Sequence, residues 1–147
     1  MAQNNVSQTE LNKSYSTTQV NDSSLITFQA GEAITDVRCR AVKFDENGNV
    51  ILAGAGDAPF GVGIITNNVN LAAGADVDVQ YKNIGLVYTG AAVAKGGNLS
   101  VDANGCFIPT ASSAYVAAIA LENASAAGVY VKALLKMGNG SAEAESE

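Results

Sequence analysis

Apolar residues recur at every second position through the middle of the chain. In DVDVQYK (76–82), Val77, Val79 and Tyr81 share one face, while Asp76, Asp78, Gln80 and Lys82 take the other. GVYVKALLK (128–136) lines up Val129, Val131, Ala133 and Leu135 in the same way. A period of two marks strands that bury one face, as antiparallel strands do. DVRCRA (36–41) alternates as well, then shifts phase at Ala41 and Val42 before Phe44, which predicts a bulged strand.

Turns punctuate these strands, and the turns repeat. VKFDENGNVI (42–51) and LSVDANGCFI (99–108) share one phrase: apolar, Asp, any residue, Asn-Gly, any residue, apolar, Ile. Asp opens an Asx-type turn and Gly supplies the positive φ of the reversal, so each phrase predicts a hairpin. The echo continues in order, FGVGII (60–65) with YVAAIA (115–120) and AAGADV (72–77) with AAGVYV (126–131), at offsets of 57, 55 and 54. A β-unit of about 55 residues is therefore expected twice. The repeat also decides ASSAYVAAIALENASA (111–126), whose alanines favour helix. Its counterpart GDAPFGVGIITNNVN is broken by Gly and Pro, so 115–121 is read as a strand, with room for a helical turn near 123–127. The predicted class is all-β: a small antiparallel sandwich or barrel-like domain with two related hairpin units.

The flanks differ in kind. Residues 1–24 hold fifteen Asn, Gln, Ser or Thr, with Val6, Leu11, Tyr15 and Val20 spaced thinly among them. Such a segment buries too little apolar surface to offset its ordering entropy, so it is expected to be an extended arm, disordered on its own. The β-rich domain is expected at 25–138 and a small acidic disordered tail at 139–147.

Charge narrows the function. Eight Lys and Arg face fourteen Asp and Glu, a net charge of −6. Phosphate binding needs clustered cations, so neither nucleic acid nor an anionic membrane is an expected partner. No apolar run approaches the ~20 residues of a membrane span. The first residues show neither a basic region nor an apolar core of a secretory signal, so synthesis in the host cytoplasm and use without export are expected. In that setting Cys39 and Cys106 read as small buried hydrophobes rather than a disulfide. The lack of histidine removes Ser-His-Asp and Cys-His catalysis and every histidine-bearing zinc site.

The remaining candidates have simpler readings. GAGDAPFGVG (54–63) lacks the Lys-Ser/Thr of a phosphate loop and reads as a tight connection. DENGN (45–49) fails the ligand spacing of a calcium loop. Asp76 and Asp78 could chelate a cation, but their alternation assigns them to a solvated face. Arg38 and Arg40 form the densest cationic spot and are candidates for a salt-bridged subunit contact. No catalytic, metal or cofactor constellation is expected, and the chain is read as a non-enzyme.

The order of AGEAIT, RAVKFDENGNVILAG, DAPFGVGII, AAGADVDVQYKNIGLVYTGAAVAKGGNLSVDANGCFIP and AYVAAIALENASAAGVYVKALL resembles the capsid cement (decoration) proteins of tailed bacteriophages. The resemblance covers most of 29–138 and leaves out the arm. It implies a β-rich domain that assembles as a homotrimer on the outer surface of the phage head, with the major capsid protein as partner. On that reading the arm anchors the capsid through Leu11, Tyr15 and Val20. The alternatives are the capsid-attached base of a head fibre and, further off, a surface-carbohydrate-binding module, which the lack of Trp disfavours.

Overall fold

The computed structural model describes residues 24–111 and 114–137. Among these there is no helix, and ten strands run in order: β1 (Leu25–Gln29), β2 (Ala41–Phe44), β3 (Val50–Leu52), β4 (Gly61–Gly63), β5 (Asp76–Gln80), β6 (Ile84–Tyr88), β7 (Asn98–Val101), β8 (Phe107–Pro109), β9 (Ala118–Ala120) and β10 (Tyr130–Leu135). They form two five-stranded antiparallel sheets, ordered β1-β5-β4-β2-β3 and β6-β10-β9-β7-β8. The second order is the first with every strand moved on by five. Each sheet curls until its edges touch at one parallel bridge, Ala30 with Val50 and Thr89 with Phe107, and stops short of a closed barrel.

The repeat extends to register. Ala41 pairs with Val62 and Asn98 with Ile119; Leu25 pairs with Gln80 and Ile84 with Leu134. The Asn-Gly turns match atom for atom. Asp45 Oδ1 accepts from the amides of Asn47 (2.8 Å) and Asn49 (3.0 Å), and Asp102 Oδ1 from those of Asn104 (2.8 Å) and Cys106 (3.0 Å). Gly48 and Gly105 take the expected positive φ of 83° and 78°. Each turn joins two paired strands, β2 to β3 and β7 to β8. The related units are thus whole five-stranded sheets, more than the hairpins expected.

Each unit has its own core, but the second borrows from the first. Ile34, Val37, Val42, Val50, Val77 and Val79 pack within the first unit. The second core, around Leu99, Phe107 and Val131, also takes in Ala41, Ala53 and Val62 from the first unit. Val42 points into the first core, so its neighbour Ala41 lies on the opposite side of that sheet, where the second unit covers it. The Ala41 amide donates to Gly105 O (2.8 Å), Gly56 N to Val101 O (3.1 Å) and Tyr88 N to Cys39 O (2.8 Å), which ties the units backbone to backbone. Among the described residues, the first unit's own core has no such neighbour at the matching end. There Phe28, Phe44 and Phe60 stack together, Phe44 on Phe60 at 3.9 Å between ring centroids and Phe28 edge-on to both. Their counterparts Val87, Val101 and Ala117 are smaller and fully covered. Three rings do for one unit what docking does for the other.

Several local expectations change. Residues 36–40 form a connection rather than a strand: Val37 and Cys39 are buried in alternation, but Cys39 turns at φ 61°, Arg38 makes only an isolated parallel bridge to Gly63, and the antiparallel ladder starts at Ala41. The alternation was a true burial signal and a false strand signal. The phase shift at Ala41 and Val42 is where the two residues face different cores. β9 is three residues long, not seven, and no helical turn follows it. Val62 and Ile119 hold the same position in their sheets, so FGVGII and YVAAIA match at an offset of 57 rather than 55. Val129 is exposed because β10 begins after it.

Candidate interaction surface

Strand alternation gives each sheet an outward face, and the two faces are matched position by position. On the first sheet β1 and β5 present Leu25, Thr27, Gln29, Asp76, Asp78 and Gln80, while Val77 and Val79 point inward. The matching positions on β6 and β10 are Ile84, Leu86, Tyr88, Tyr130, Lys132 and Leu134, with Val87, Val131 and Ala133 inward. Apart from Leu25 at its edge, the first face is polar. The second is apolar with one cation at its centre, although Ile84, Tyr130 and Leu134 are exposed by 56%, 41% and 37%. A solvated sheet face carries polar residues, so this composition is that of a face meant to be covered.

Cations flank the apolar face. Arg40 lies over the Tyr88 ring, 5.0 Å from its centroid, and Tyr88 and Tyr130 stand 5.0 Å apart. The Arg40 Nε is buried and has no hydrogen-bond partner. Arg38 forms a two-pronged pair with Asp36 at 2.9 and 3.0 Å, and that guanidinium holds the Asp36 carboxyl below its ordinary range. The Arg38 salt bridge therefore closes within its own chain. The Lys132 amide donates to Glu122 Oε1 at 2.8 Å. Where the two faces meet, a cleft of about 350 Å³ opens between Ile64, Ile65 and Gln80 on one side and Ile84, Leu86 and Lys132 on the other.

The other sequence candidates fall as follows. Asp76 and Asp78 share the outward face of β5; Asp78 accepts from the Thr27 hydroxyl at 2.5 Å, and Asp76 is exposed. No cluster of three metal-ligating side chains occurs among the described residues. Of the 54–63 segment, residues 54–60 connect β3 to β4, with Asp57 accepting from the Gly54 amide (2.7 Å) and Lys43 (2.6 Å), while Gly61–Gly63 is β4 itself. Cys39 and Cys106 are buried free thiols; burial pushes Cys39 up to about 11 and raises Cys106 as well. Leu11, Tyr15 and Val20 lie outside the described residues. The apolar outward face itself was missed in the sequence, although IGLVY (84–88) and YVKALL (130–135) carry the signal: both of their faces are apolar, not one.

No protein-family model matches the chain, and no curated protein matches it in sequence. Among solved structures, its fold is similar to the N base of the head fibre gp8.5 of bacteriophage phi29, with a TM-score of 0.58. The fold is like that of a head-fibre base. The match covers 76% of this chain and 92% of that one at 21% identity, a level at which likeness speaks for the fold. The decoration family expected from the sequence is not shown by these comparisons.

Proposed function

We propose that this chain is a structural protein of a phage virion, the capsid-attached base on which a head-surface fibre is mounted. The observation that carries the reading is the match to nearly the full length of the phi29 fibre base. The two-unit body and its outward apolar face support it, since a base must join other proteins rather than transform a ligand. On this reading the partners are the major capsid protein and further copies of the chain as a homotrimer, at the outer head surface. The arm, with Leu11, Tyr15 and Val20, is the capsid anchor.

A second reading, a decoration protein with nothing mounted on it, rests on the ordered sequence resemblance over 29–138. Reconstruction of heads bearing the protein separates the two. A knob at discrete surface positions with a filament above it supports the fibre base, and a bare knob supports decoration. Heads with no such density, or protein found only away from particles, would overturn both. Deleting residues 1–24 should lower head occupancy sharply while leaving the melting temperature of the domain nearly unchanged. Full occupancy by the truncated chain would assign the contact to the β domain.

A further inference from the structure

We infer that the outward face of β6 and β10 is a contact between copies of this chain, and that it meets the outward face of β1 and β5 of a second copy. It assigns a contact to the self-association named in the proposed function, and is argued from the two matched faces alone. Three observations carry it. The faces have the same backbone and register, yet one holds Ile84, Leu86, Tyr88, Tyr130 and Leu134 where the other holds Leu25, Thr27, Gln29, Asp76 and Gln80. An internal repeat keeps its scaffold while each face answers to its own surroundings, so the apolar face is adapted to cover.

The central position of each face then selects the occupant. Lys132 stands where the first unit has Asp78, so the faces are opposite in charge at matched sites. Pairing the apolar face with its own image would set Lys132 against Lys132 inside an apolar contact, where like charges are costly. Pairing it with the first face sets Lys132 against Asp76 and Asp78, and Gln80 and Thr27 supply polar partners for the Tyr88 and Tyr130 hydroxyls. Lastly, both faces border the cleft between Gln80 and Ile84, so one continuous surface carries both halves of the contact. A reciprocal dimer and a closed ring of copies each satisfy this pairing.

The test is a charge exchange in the full chain, read by native mass and sedimentation across a concentration series. Lys132→Glu and Asp78→Lys should each weaken self-association by about tenfold or more, and the double variant should recover most of the loss. Circular dichroism melts check that each variant is folded. As a second probe, Leu86→Thr with Leu134→Gln installs what the first unit carries at the matched positions, Thr27 and Gln80, on a backbone that already accepts them. That variant should be folded and monomeric. A wild-type chain that stays monomeric throughout would overturn the inference and leave the apolar face to a different protein. Assembly indifferent to Lys132→Glu and to the Leu86 and Leu134 pair would overturn it equally, by putting the contact elsewhere. Failure of the double variant to recover would refute the pairing of the two faces.

Discussion

Replacing Asp45 and Asp102 by alanine, one at a time, should separate what a turn contributes by itself from what it contributes by docking. In both turns the carboxylate accepts two amide hydrogen bonds of the same lengths, 2.8 and 3.0 Å. Two such bonds at a net value of about 0.5–1.5 kcal/mol each give about 1–3 kcal/mol, and the range of about 0.5–2 kcal/mol seen for capping residues puts Asp45→Ala in the lower part, about 1–2 kcal/mol. The 45–48 turn packs within its own unit, with Asp45 against Gly31, and Gly48 is exposed with nothing packed near it. The 102–105 turn carries more. Gly105 is buried against the Ala41 and Ala53 carbonyls, and its own carbonyl takes the Ala41 amide. Loosening that turn exposes part of the shared core, so Asp102→Ala should cost about 2–4 kcal/mol. Urea denaturation followed by far-ultraviolet circular dichroism reads both as midpoint shifts at constant m-value. Gly90→Ala reaches the same bonds from the other side, since a methyl group there overlaps Asp102 Oδ2. Gly90→Ala combined with Asp102→Ala should therefore cost less than the sum of the two. Equal midpoints for Asp45→Ala and Asp102→Ala would refute the claim that the second turn holds the units together.

Three further expectations follow from single sites. Gly63→Ala should destabilise by about 3 kcal/mol or more, because the new methyl group meets the Val37 backbone carbonyl, whereas Ala120→Gly at the matched buried position should cost about 1–2 kcal/mol, from backbone freedom and one lost core methyl group; thermal melts of both test this. The Cys39 thiol, raised to about 11 by burial, favours the fold fully below the ordinary thiol pKa and loses that contribution as pH climbs towards 11. Cys39→Ala should flatten the fall in stability over that window, and an unchanged slope would show that the thiol is not buried. Asp57 and Asp36 lie below their ordinary pKa of 3.8 through hydrogen bonds from Lys43 and Arg38, so their contribution holds above that value and fades as pH falls through their lowered values. Lys43→Met should reduce the acid sensitivity, as read by denaturation at pH steps below neutrality.

What could be read in the sequence was set by neighbours along the chain. The DENGN and DANGC turns close through bonds from an Asp to amides two and four residues on, so ten residues contain all the partners they need. The alternation of Val77 with Val79, and of Val131 with Ala133, follows from the strand period alone. Their recurrence in order was enough to reveal a duplicated β-unit and an all-β chain. What the tertiary structure decided involved partners far apart. Residues 36–40 alternate like a strand, but they pair only at the single Arg38–Gly63 bridge before the ladder begins at Ala41, and a period of two records burial without recording hydrogen bonds. The glycines at 61 and 63 were legible as breakers; only the close passage of Val37 over Gly63, and of Val79 and Gln80 by Gly61, shows why alanine serves in the second unit and not in the first. That Gly105 is buried while Gly48 is free depends on the second unit docking on the back of the first, which no local window contains. The contrast between the two outward faces likewise emerged only once register aligned Asp78 with Lys132 and Thr27 with Leu86. Local hydrogen bonds and strand period are written in consecutive residues, whereas docking and register are set by which distant surfaces exclude water together.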